Sequence, residues 1–452
     1  MNAIYMVNSR TDCKKTTAVL PSSTMTLGNV ITAPRERLDR NARVVIALTF
    51  TAWLLSYADR QLVTLVLPLI GDDLDLDNTE RGLLVSVFFL AYAATQIPAG
   101  LLADRFGAKR MAVIGIVAWS VFTILTGVVP GLVALLVVRF LFGIGEGMYP
   151  AASMKAIAEQ TTPGQRMTAN GWVLSSNAVG TLLAATVGVA LVAALGWRHS
   201  FVVFGVVGFV VAAVIMRAMP APRPASETAT KEVAETALGR PRDLLRSWTM
   251  WRYCLMYFGV GTVSWGVSSW VPSYLYDVHG IDLKKAAALM AIPVVAAAVA
   301  IVAGGRLSDA VGGRHRVIVV PSMIVVAISL LVVTQVSQVA FFVAAVTVAL
   351  FASSLCITSV FSVPSRSLPP HLLGAASGII ITGSQLAGIA TPTIMGFLVD
   401  TKSYEVAFGY LITGAVLTAL ASLLTPQTTE RFLKSLALNP RAKSSARESE
   451  LA

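Results

Sequence analysis

The chain has 452 residues, of which 55% are hydrophobic and 13% are charged, and its mean hydropathy is +0.72. A soluble domain ordinarily carries about 25% charged residues, so this composition excludes a soluble globular protein and predicts a polytopic membrane protein. The formal net charge of +11 does not indicate a nucleic-acid partner, because the basic residues are concentrated in particular connections between apolar segments.

The chain begins with a polar stretch, residues 1–41, that is rich in Ser, Thr and Arg. This composition predicts a disordered segment. It holds no apolar core of the length that a cleavable signal peptide needs, and Met25 is an alternative start to Met1.

Twelve apolar stretches follow, each near the roughly 20 residues that a membrane-spanning helix needs. The first six are residues 43–70, 82–103, 110–129, 131–154, 168–194 and 198–217. The second six are residues 250–276, 285–308, 316–335, 337–361, 372–399 and 404–425.

Residues 218–249, between the two sets, mix Pro, Ala, Thr and charged residues, which predicts a linker. Residues 427–452 form a basic tail. We therefore predict an all-α polytopic membrane protein with twelve transmembrane helices in two six-helix bundles, over residues 42–217 and 250–426.

The charge distribution predicts the orientation in the membrane. Clusters of Arg and Lys precede the first span, follow the second, fill the linker and end the chain, whereas residues 71–80 read GDDLDLDNTE. By the positive-inside rule, both termini, the linker and the tail are expected in the cytoplasm. We expect the protein to be a monomer embedded in the lipid bilayer of a bacterial inner membrane.

One motif occurs twice, after the second span of each set. GLLADRFGAKR (100–110) recurs 205 residues later as GRLSDAVGGRH (305–315). In each copy a Gly allows close helix approach, an Asp can meet a neighbouring helix end or an Arg, and a second Gly ends the helix before a basic turn.

The motif resembles the signature between helices 2 and 3 of the major facilitator superfamily. The resemblance covers residues 42–426 and implies two bundles around a central cavity that opens to each side of the membrane in turn. It implies a role in conformational gating for Gly100, Asp104, Arg105, Gly107, Gly305, Asp309, Gly312 and Arg314.

Four charged residues lie deep inside predicted spans, away from their ends: Asp59 and Arg60 in the first, Arg139 and Glu146 in the fourth. Each costs about 2.5 to 3.5 kcal/mol at the centre of a bilayer. Helical geometry places Tyr57 and Arg60 on one face, Asp59 about 100° away, and Arg139 two turns from Glu146. No other Asp or Glu, and none of the four His, lies deep in a predicted span, so Asp59 and Glu146 are the candidate proton carriers.

A purely structural role, in which these charges fix helix packing, is the alternative. All four belong to the first half, with no counterpart in the second. The internal repeat would more naturally duplicate a packing role, so this asymmetry favours a functional one.

The letters around the charges resemble the anion:cation symporter branch of the superfamily. They are YADRQ (57–61), GLLVSVFFLAYAATQIPAGLLADRFGAKR (82–110), RFLFGIGEGMYPA (139–151), GWRHSF (196–201) and SSWVPSYL (268–275). The branch includes bacterial transporters that move sugar acids and other organic anions with protons.

The resemblance assigns a role to each of these charges. It implies that Arg60 binds the substrate carboxylate, with help from Tyr57 and Tyr92. It further implies that Asp59 and Glu146 carry protons, with Arg139 as the partner of Glu146. A guanidinium suits the first role, because its planar fork donates two hydrogen bonds to a carboxylate and stays charged.

Other polar residues are expected to bind substrate in the cavity. Tyr92 and Gln96 are one turn apart and share a face. Asn177 stands where galactonate-transporting members have Gln. Trp265 and Gln385 are expected to line the cavity, although helix packing would explain them equally well.

The second half departs from the sugar-acid members. Phe361 stands where they have Trp, and Ile381 where they have Asn. Fewer polar groups there leave open a less hydroxylated carboxylate, a sulfonate or an aromatic acid as substrate.

We therefore expect uptake of an organic anion with protons. Efflux of a small molecule and a non-transporting membrane sensor are the alternatives; the fifth span lacks the GxxxGPxxGG pattern of drug exporters, and no soluble output domain follows. No catalytic constellation, metal site or cofactor is expected, since the three Cys are widely spaced. GIGEG (143–147) follows no predicted strand, so its glycines indicate close helix packing rather than a phosphate loop.

Overall fold

The computed structural model describes residues 38–221, 241–368 and 370–436. The predicted disorder of residues 1–41 therefore falls almost wholly outside the described residues, as do most of the linker and the end of the tail. From Asp39 onward, the described residues belong to one compact unit.

The regular elements that the structure describes are all helical. In the first half they are α1 (Arg40–Leu74), α2 (Asn78–Phe106), α3 (Ala108–Thr126), α4 (Leu132–Gly147), α5 (Tyr149–Gln160), α6 (Pro163–Leu183), a π-helical turn (Ala184–Gly188) and α7 (Val189–Ala218). After the linker come α8 (Pro241–Leu245), α9 (Trp248–Asp277), α10 (Leu283–Ala310), α11 (His315–Val333), α12 (Val339–Ser367), α13 (Pro370–Thr401), α14 (Tyr404–Leu424) and α15 (Thr429–Ser435).

Ten described helices are long and apolar enough to cross a membrane, judged by length and composition. One of them, Ala169–Ala218, is interrupted by Gly196, whose φ of 79° breaks it into two spans. The remaining span, α9, has 30 residues but reads WTMWRYCLMYFGVGTVSWGVSSWVPSYLYD, in which Trp, Tyr and Ser lower the hydropathy. The predicted fold of twelve transmembrane helices is confirmed.

Buried apolar side chains form two clusters. The first draws on residues 45–219 with Ala287, and the second on residues 244–436. Each cluster thus belongs almost entirely to one half of the chain, as expected for two bundles, although the predicted domain limits themselves stay a prediction. The tail begins with α15, whose Phe432 is fully buried against the second half.

Helices α2 and α13 run antiparallel and touch across the two halves where α2 begins. A methyl group added to Gly82 would collide with the carbonyl of Pro392, and one on Gly388 would collide with the ring of Phe89. Glycine is therefore needed at these crossings, because the backbones approach too closely for a side chain.

Asp400, at the end of α13, binds the beginning of α2 in the other half. Its carboxylate accepts hydrogen bonds from the backbone amides of Asn78 (3.1 Å) and Thr79 (2.7 Å). It also accepts from the Asn78 side-chain amide (2.9 Å) and the Thr79 hydroxyl (2.6 Å). A negative charge at a helix N-terminus is favourable, because the free amides and the helix dipole both attract it.

Arg81 forms a second bridge between the halves at the same end. Its guanidinium lies 3.2 Å from Asp72 of α1 and 3.3 Å from Asp277 of α9. Tyr404 donates a hydrogen bond to Asp277 (2.6 Å) and Tyr276 donates one to Asp72 (3.2 Å). We call this end, where α1 ends and α2 begins, the closed end.

The two halves separate toward the opposite end of α2 and α13. Ile97 and Leu101 of α2 are 80% and 69% exposed. No atom outside the local helix lies within 4 Å of a methyl group placed on Gly100 or Gly378. The structure is therefore closed at one end and open between the halves at the other.

The repeated motif lies at this open end, and each copy holds its own half together. Asp104 pairs with Lys155 of α5 (3.0 Å), and Asp309 pairs with Arg366 of α12 (2.6 Å). Gly107 and Gly312 have φ of 87° and 65°, so they end α2 and α10 as predicted.

Other residues of the motif differ from expectation. Gly100 faces open space, and the nearest atom to a methyl group on Gly305 is 4.0 Å away; the close approach is made by Gly304, which packs on the Leu355 backbone. Arg105 lies 5.4 Å from the Phe106 ring, and Arg314 precedes α11.

Replacing Asp400 by Ala is expected to loosen the closed end, because α2 loses its cap from the other half. A thiol introduced at Ser86, which is buried and receives the Thr393 hydroxyl (2.8 Å), should be labelled roughly three to ten times faster by a soluble maleimide, in a background without native cysteines. This corresponds to the roughly 1 kcal/mol of an exposed charge-assisted contact.

Asp73→Ala is the matched control, because Asp73 pairs with Arg198 (2.7 Å) inside the first half. Equal labelling rates in the Asp400 and Asp73 variants would contradict a bracing role for Asp400.

Candidate functional site

A buried ion pair joins α1 to α4. The Arg60 guanidinium lies 3.1 Å from Glu146, and the Ser56 hydroxyl donates a short hydrogen bond to the other carboxylate oxygen. Arg60 is 7% and Glu146 1% exposed. The two charges lower each other's cost of burial.

The glycines around Glu146 explain how α4 comes so near its neighbours. A methyl group on Gly143 or Gly147 would lie within 3 Å of an α2 carbonyl, and one on Gly145 would lie 2.8 Å from the Trp119 amide of α3. This confirms that GIGEG serves close helix packing.

Aromatic rings surround Arg60. The centre of its guanidinium is 4.9 Å from the Tyr57 and Tyr92 rings and 4.8 Å from the Phe88 ring. A cation over ring faces is attracted by their negative charge density. The rings therefore hold Arg60 in place without neutralising it.

Asp59 points to another part of the bundle, as the 100° turn predicts. Its carboxylate is 2% exposed and accepts a hydrogen bond from Thr123 of α3 (3.1 Å). No cation of the described chain lies within 4.0 Å of it, and its Oδ1 has no hydrogen-bond partner.

The expected partnership of Arg139 with Glu146 is not formed. Two helical turns separate them by about 10.5 Å along α4, and Glu146 turns toward Arg60 instead. Arg139 is 3% exposed, lies over the Phe142 ring (4.5 Å) and the Phe88 ring (5.3 Å), and has no ion pair within the described part of the chain. It shares a void of about 10 Å³ with Arg60, near the size of one water molecule.

A cavity of about 290 Å³ lies between the two halves. Of the predicted substrate-binding residues, Tyr57, Arg60, Asn177 and Trp265 line it, and Arg60 is the sole charged residue among its described walls. Tyr92 does not line the cavity itself, but its ring contacts the Arg60 guanidinium, which does.

Two other predicted residues do not line the cavity. Gln96 lies one turn beyond Tyr92, toward the open end of α2. Gln385 points away, and its neighbour Ser384 lines the cavity and accepts a hydrogen bond from Trp265 (3.1 Å). Consecutive residues on a helix point about 100° apart, so Ser384 faces the cavity and Gln385 does not.

The prediction missed several polar lining residues. They are Gln61, Thr181, Tyr257, Ser264 and Ser354. Thr181 follows Asn177 by four residues and Gln61 follows Tyr57 by four, so helical spacing from a predicted position could have found these two. Tyr257 also packs edge-on against Phe361 (5.3 Å).

Comparison with known families decides the identity of the fold. The profile of the Major Facilitator Superfamily matches residues 49–392 and 286–449. The chain belongs to this superfamily. The resemblance seen in the sequence is confirmed, and this facilitator is a membrane transporter rather than an enzyme.

The relatives of this facilitator are transporters of organic acids. A probable sulfoacetate transporter of Cupriavidus necator is 30% identical over 85% of this chain and 94% of its own. A hexuronate transporter of Bacillus subtilis is 28% identical over 80% and 90%, respectively. A probable L-galactonate transporter of Escherichia coli is 27% identical over 85% and 88%.

A solved structure shares the fold. It is a bacterial homologue of the human lysosomal transporter Spinster, in an inward-facing and unoccupied conformation, with a TM-score of 0.75 and 19% identity over 88% of this chain and 98% of that one.

The energetic partner of Glu146 can be tested by double-mutant cycles. Arg60→Ala and Glu146→Ala should each lower the free energy of unfolding in detergent by roughly 3 kcal/mol or more, because each strands a buried charge. The loss of unfolding free energy in the double variant should be about 1 to 3 kcal/mol smaller than the sum of the two single losses.

The matched cycle uses Arg139→Ala with Glu146→Ala and should show a clearly smaller coupling. A larger coupling for Arg139 than for Arg60 would mean that the contacts of α4 are different from those described.

Proposed function

We propose that the protein takes up an organic anion together with protons, and that Arg60 binds the anion in the central cavity. The observation that carries this proposal is the position of Arg60: it lines the cavity on one side and is ion-paired with buried Glu146 on the other. Three relatives are named as transporters of sulfoacetate, hexuronate and L-galactonate, and these names support an organic anion as the substrate class.

Competition for Arg60 would couple the anion to a proton. An anion that engages the guanidinium from the cavity weakens its pair with Glu146. A buried carboxylate without its cation is costly to keep ionised, so Glu146 takes up a proton as the anion binds. By linkage, protonation of Glu146 in turn raises the affinity for the anion.

Asp59 supplies a second proton site in this scheme. Its carboxylate is buried against Thr123 and has no cation among the described residues within 4.0 Å. Arg139 is buried in the same bundle without a salt bridge to any described residue, and its charge would favour the ionised form of either acid.

The two six-helix bundles, residues 42–217 and 250–426, would rock about the cavity with the linker 218–249 joining them. The positive-inside rule places the termini and the open end in the cytoplasm. The closed end then faces outward, and uptake requires Asp400 and Arg81 to release their partners in the other half. Asp104 and Asp309 would keep each bundle rigid during this movement.

Arg60→Ala is expected to weaken anion binding by roughly 100-fold, the cost of losing one partner of a buried charge pair. Thermal shift of the purified protein across a panel of carboxylates and sulfonates measures it, since stabilisation follows occupancy. Arg198→Ala is the control, because Arg198 binds Asp73 at the closed end and does not line the cavity. Normal affinity in the Arg60 variant would refute the substrate site.

Uptake into proteoliposomes should increase with an inwardly directed proton gradient. Glu146→Gln should abolish this response and keep exchange of external for internal anion, because the amide cannot release a proton. Glu159→Gln, the same change on α5 of the same span, should keep gradient-driven accumulation. Uptake of a confirmed substrate that ignores the gradient in the unmodified protein would disprove proton coupling, and binding without flux would indicate a sensor.

A further inference from the structure

One wall of the cavity has a composition that bears on the substrate. Helix α10 contributes six residues to it: Met290, Ala291, Val294, Ala297, Ala298 and Ile301. Their spacing places them on one face of the helix. All are apolar, and residues 286–305 of α10 contain no polar side chain.

Neighbouring helices extend this apolar wall. Leu350 and Ile357 of α12 and Val260 of α9 line the cavity beside it. Ser354, between the two α12 residues, is only 4% exposed. A ligand on this side therefore meets hydrocarbon over most of its surface.

Hydrogen-bonding groups line other parts of the cavity. Helix α6 presents Asn177 and Thr181, and α1 presents Tyr57, Arg60 and Gln61. Helix α9 adds Tyr257, Ser264 and Ser268, and Ser384 of α13 accepts a hydrogen bond from Trp265. The cavity thus combines polar groups from these helices, around one cation, with an all-apolar face of α10.

We infer that the transported anion carries one negative charge and an apolar body with few hydroxyl groups, such as an aryl or alkyl carboxylate, in preference to a polyhydroxylated sugar acid. This rests on the proposed function, since it assumes that the anionic group sits at Arg60.

The energetics follow from the two sides of the cavity. With the anionic group at Arg60, the rest of the molecule points to α10. A hydroxyl group pressed against Val294 or Ala298 loses water without gaining a partner, whereas a ring or alkyl chain gains by leaving water. The volume of about 290 Å³ holds a ring with its carboxylate, and one cation in the described walls suits one negative charge.

The test compares monoanions that differ in their bodies. Benzoate, phenylacetate, 3-phenylpropionate and cyclohexanecarboxylate are compared with gluconate and galacturonate, by thermal shift and by competition for uptake. The apolar acids should bind at least tenfold more tightly. Equal or tighter binding of the sugar acids, or failure of every apolar acid to bind, would overturn the inference.

Val294→Thr tests the wall itself, because threonine keeps the shape of valine and adds a hydroxyl group. In this variant, the ratio of the affinity for apolar acids to the affinity for sugar acids should fall by about tenfold. Val295→Thr is the control, since Val295 is half exposed on another face of α10 and does not line the cavity. An unchanged preference in the Val294 variant, with the fold intact, counts against the inference.

Arg60→Ala separates the two proposals. If sugar acids bind best and still need Arg60, the anion site stands and the apolar body is wrong. If apolar acids bind equally well without Arg60, the anion site itself is wrong.

Discussion

The ion pair between Arg60 and Glu146 constrains much of the first half. Two charges 3.1 Å apart in a buried place are tolerable only while each has the other. The surroundings stabilise this pair: Ser56 donates a hydrogen bond to Glu146, aromatic rings surround Arg60, and glycines let α4 approach its neighbours closely. Because Arg60 also lines the cavity, an anion bound there as proposed would compete with Glu146 for the guanidinium.

The contacts between the halves are arranged differently at the two ends. At the closed end, Asp400 and Arg81 reach across, and glycines let α2 and α13 touch. At the open end, the pairs formed by Asp104 and Asp309 remain inside one half each. Cross-half contacts have to break for the molecule to open, whereas the others need not. Carboxylates therefore join the two halves at the closed end, whereas at the open end they join helices within one half.

The sequence was sufficient to predict the twelve helices, because apolar length is a strong signal, and to single out Arg60, because a charge inside a span is rare. It could not predict which acid Arg60 meets. That depends on how α1 and α4 are rotated against each other, and this rotation brings Arg60, rather than Arg139, within 4 Å of Glu146. Gly304 rather than Gly305 makes the close contact, and Ser384 rather than Gln385 faces the cavity. Each of the last two differences is one residue on a helix, a rotation of about 100° that hydropathy does not resolve.

The division of labour between the halves follows from the walls of the cavity. The four charges buried deep in the spans, Asp59, Arg60, Arg139 and Glu146, belong to the first half, and the cavity wall formed by α10 is hydrocarbon. If the anion binds at Arg60 as proposed, this charge would supply affinity and coupling but little selectivity. Selectivity then has to come from what the body of the anion meets, since an apolar wall rejects hydroxyl groups by leaving them unpaired. A substitution in α10 or α12 would then change substrate preference without touching the ion pair.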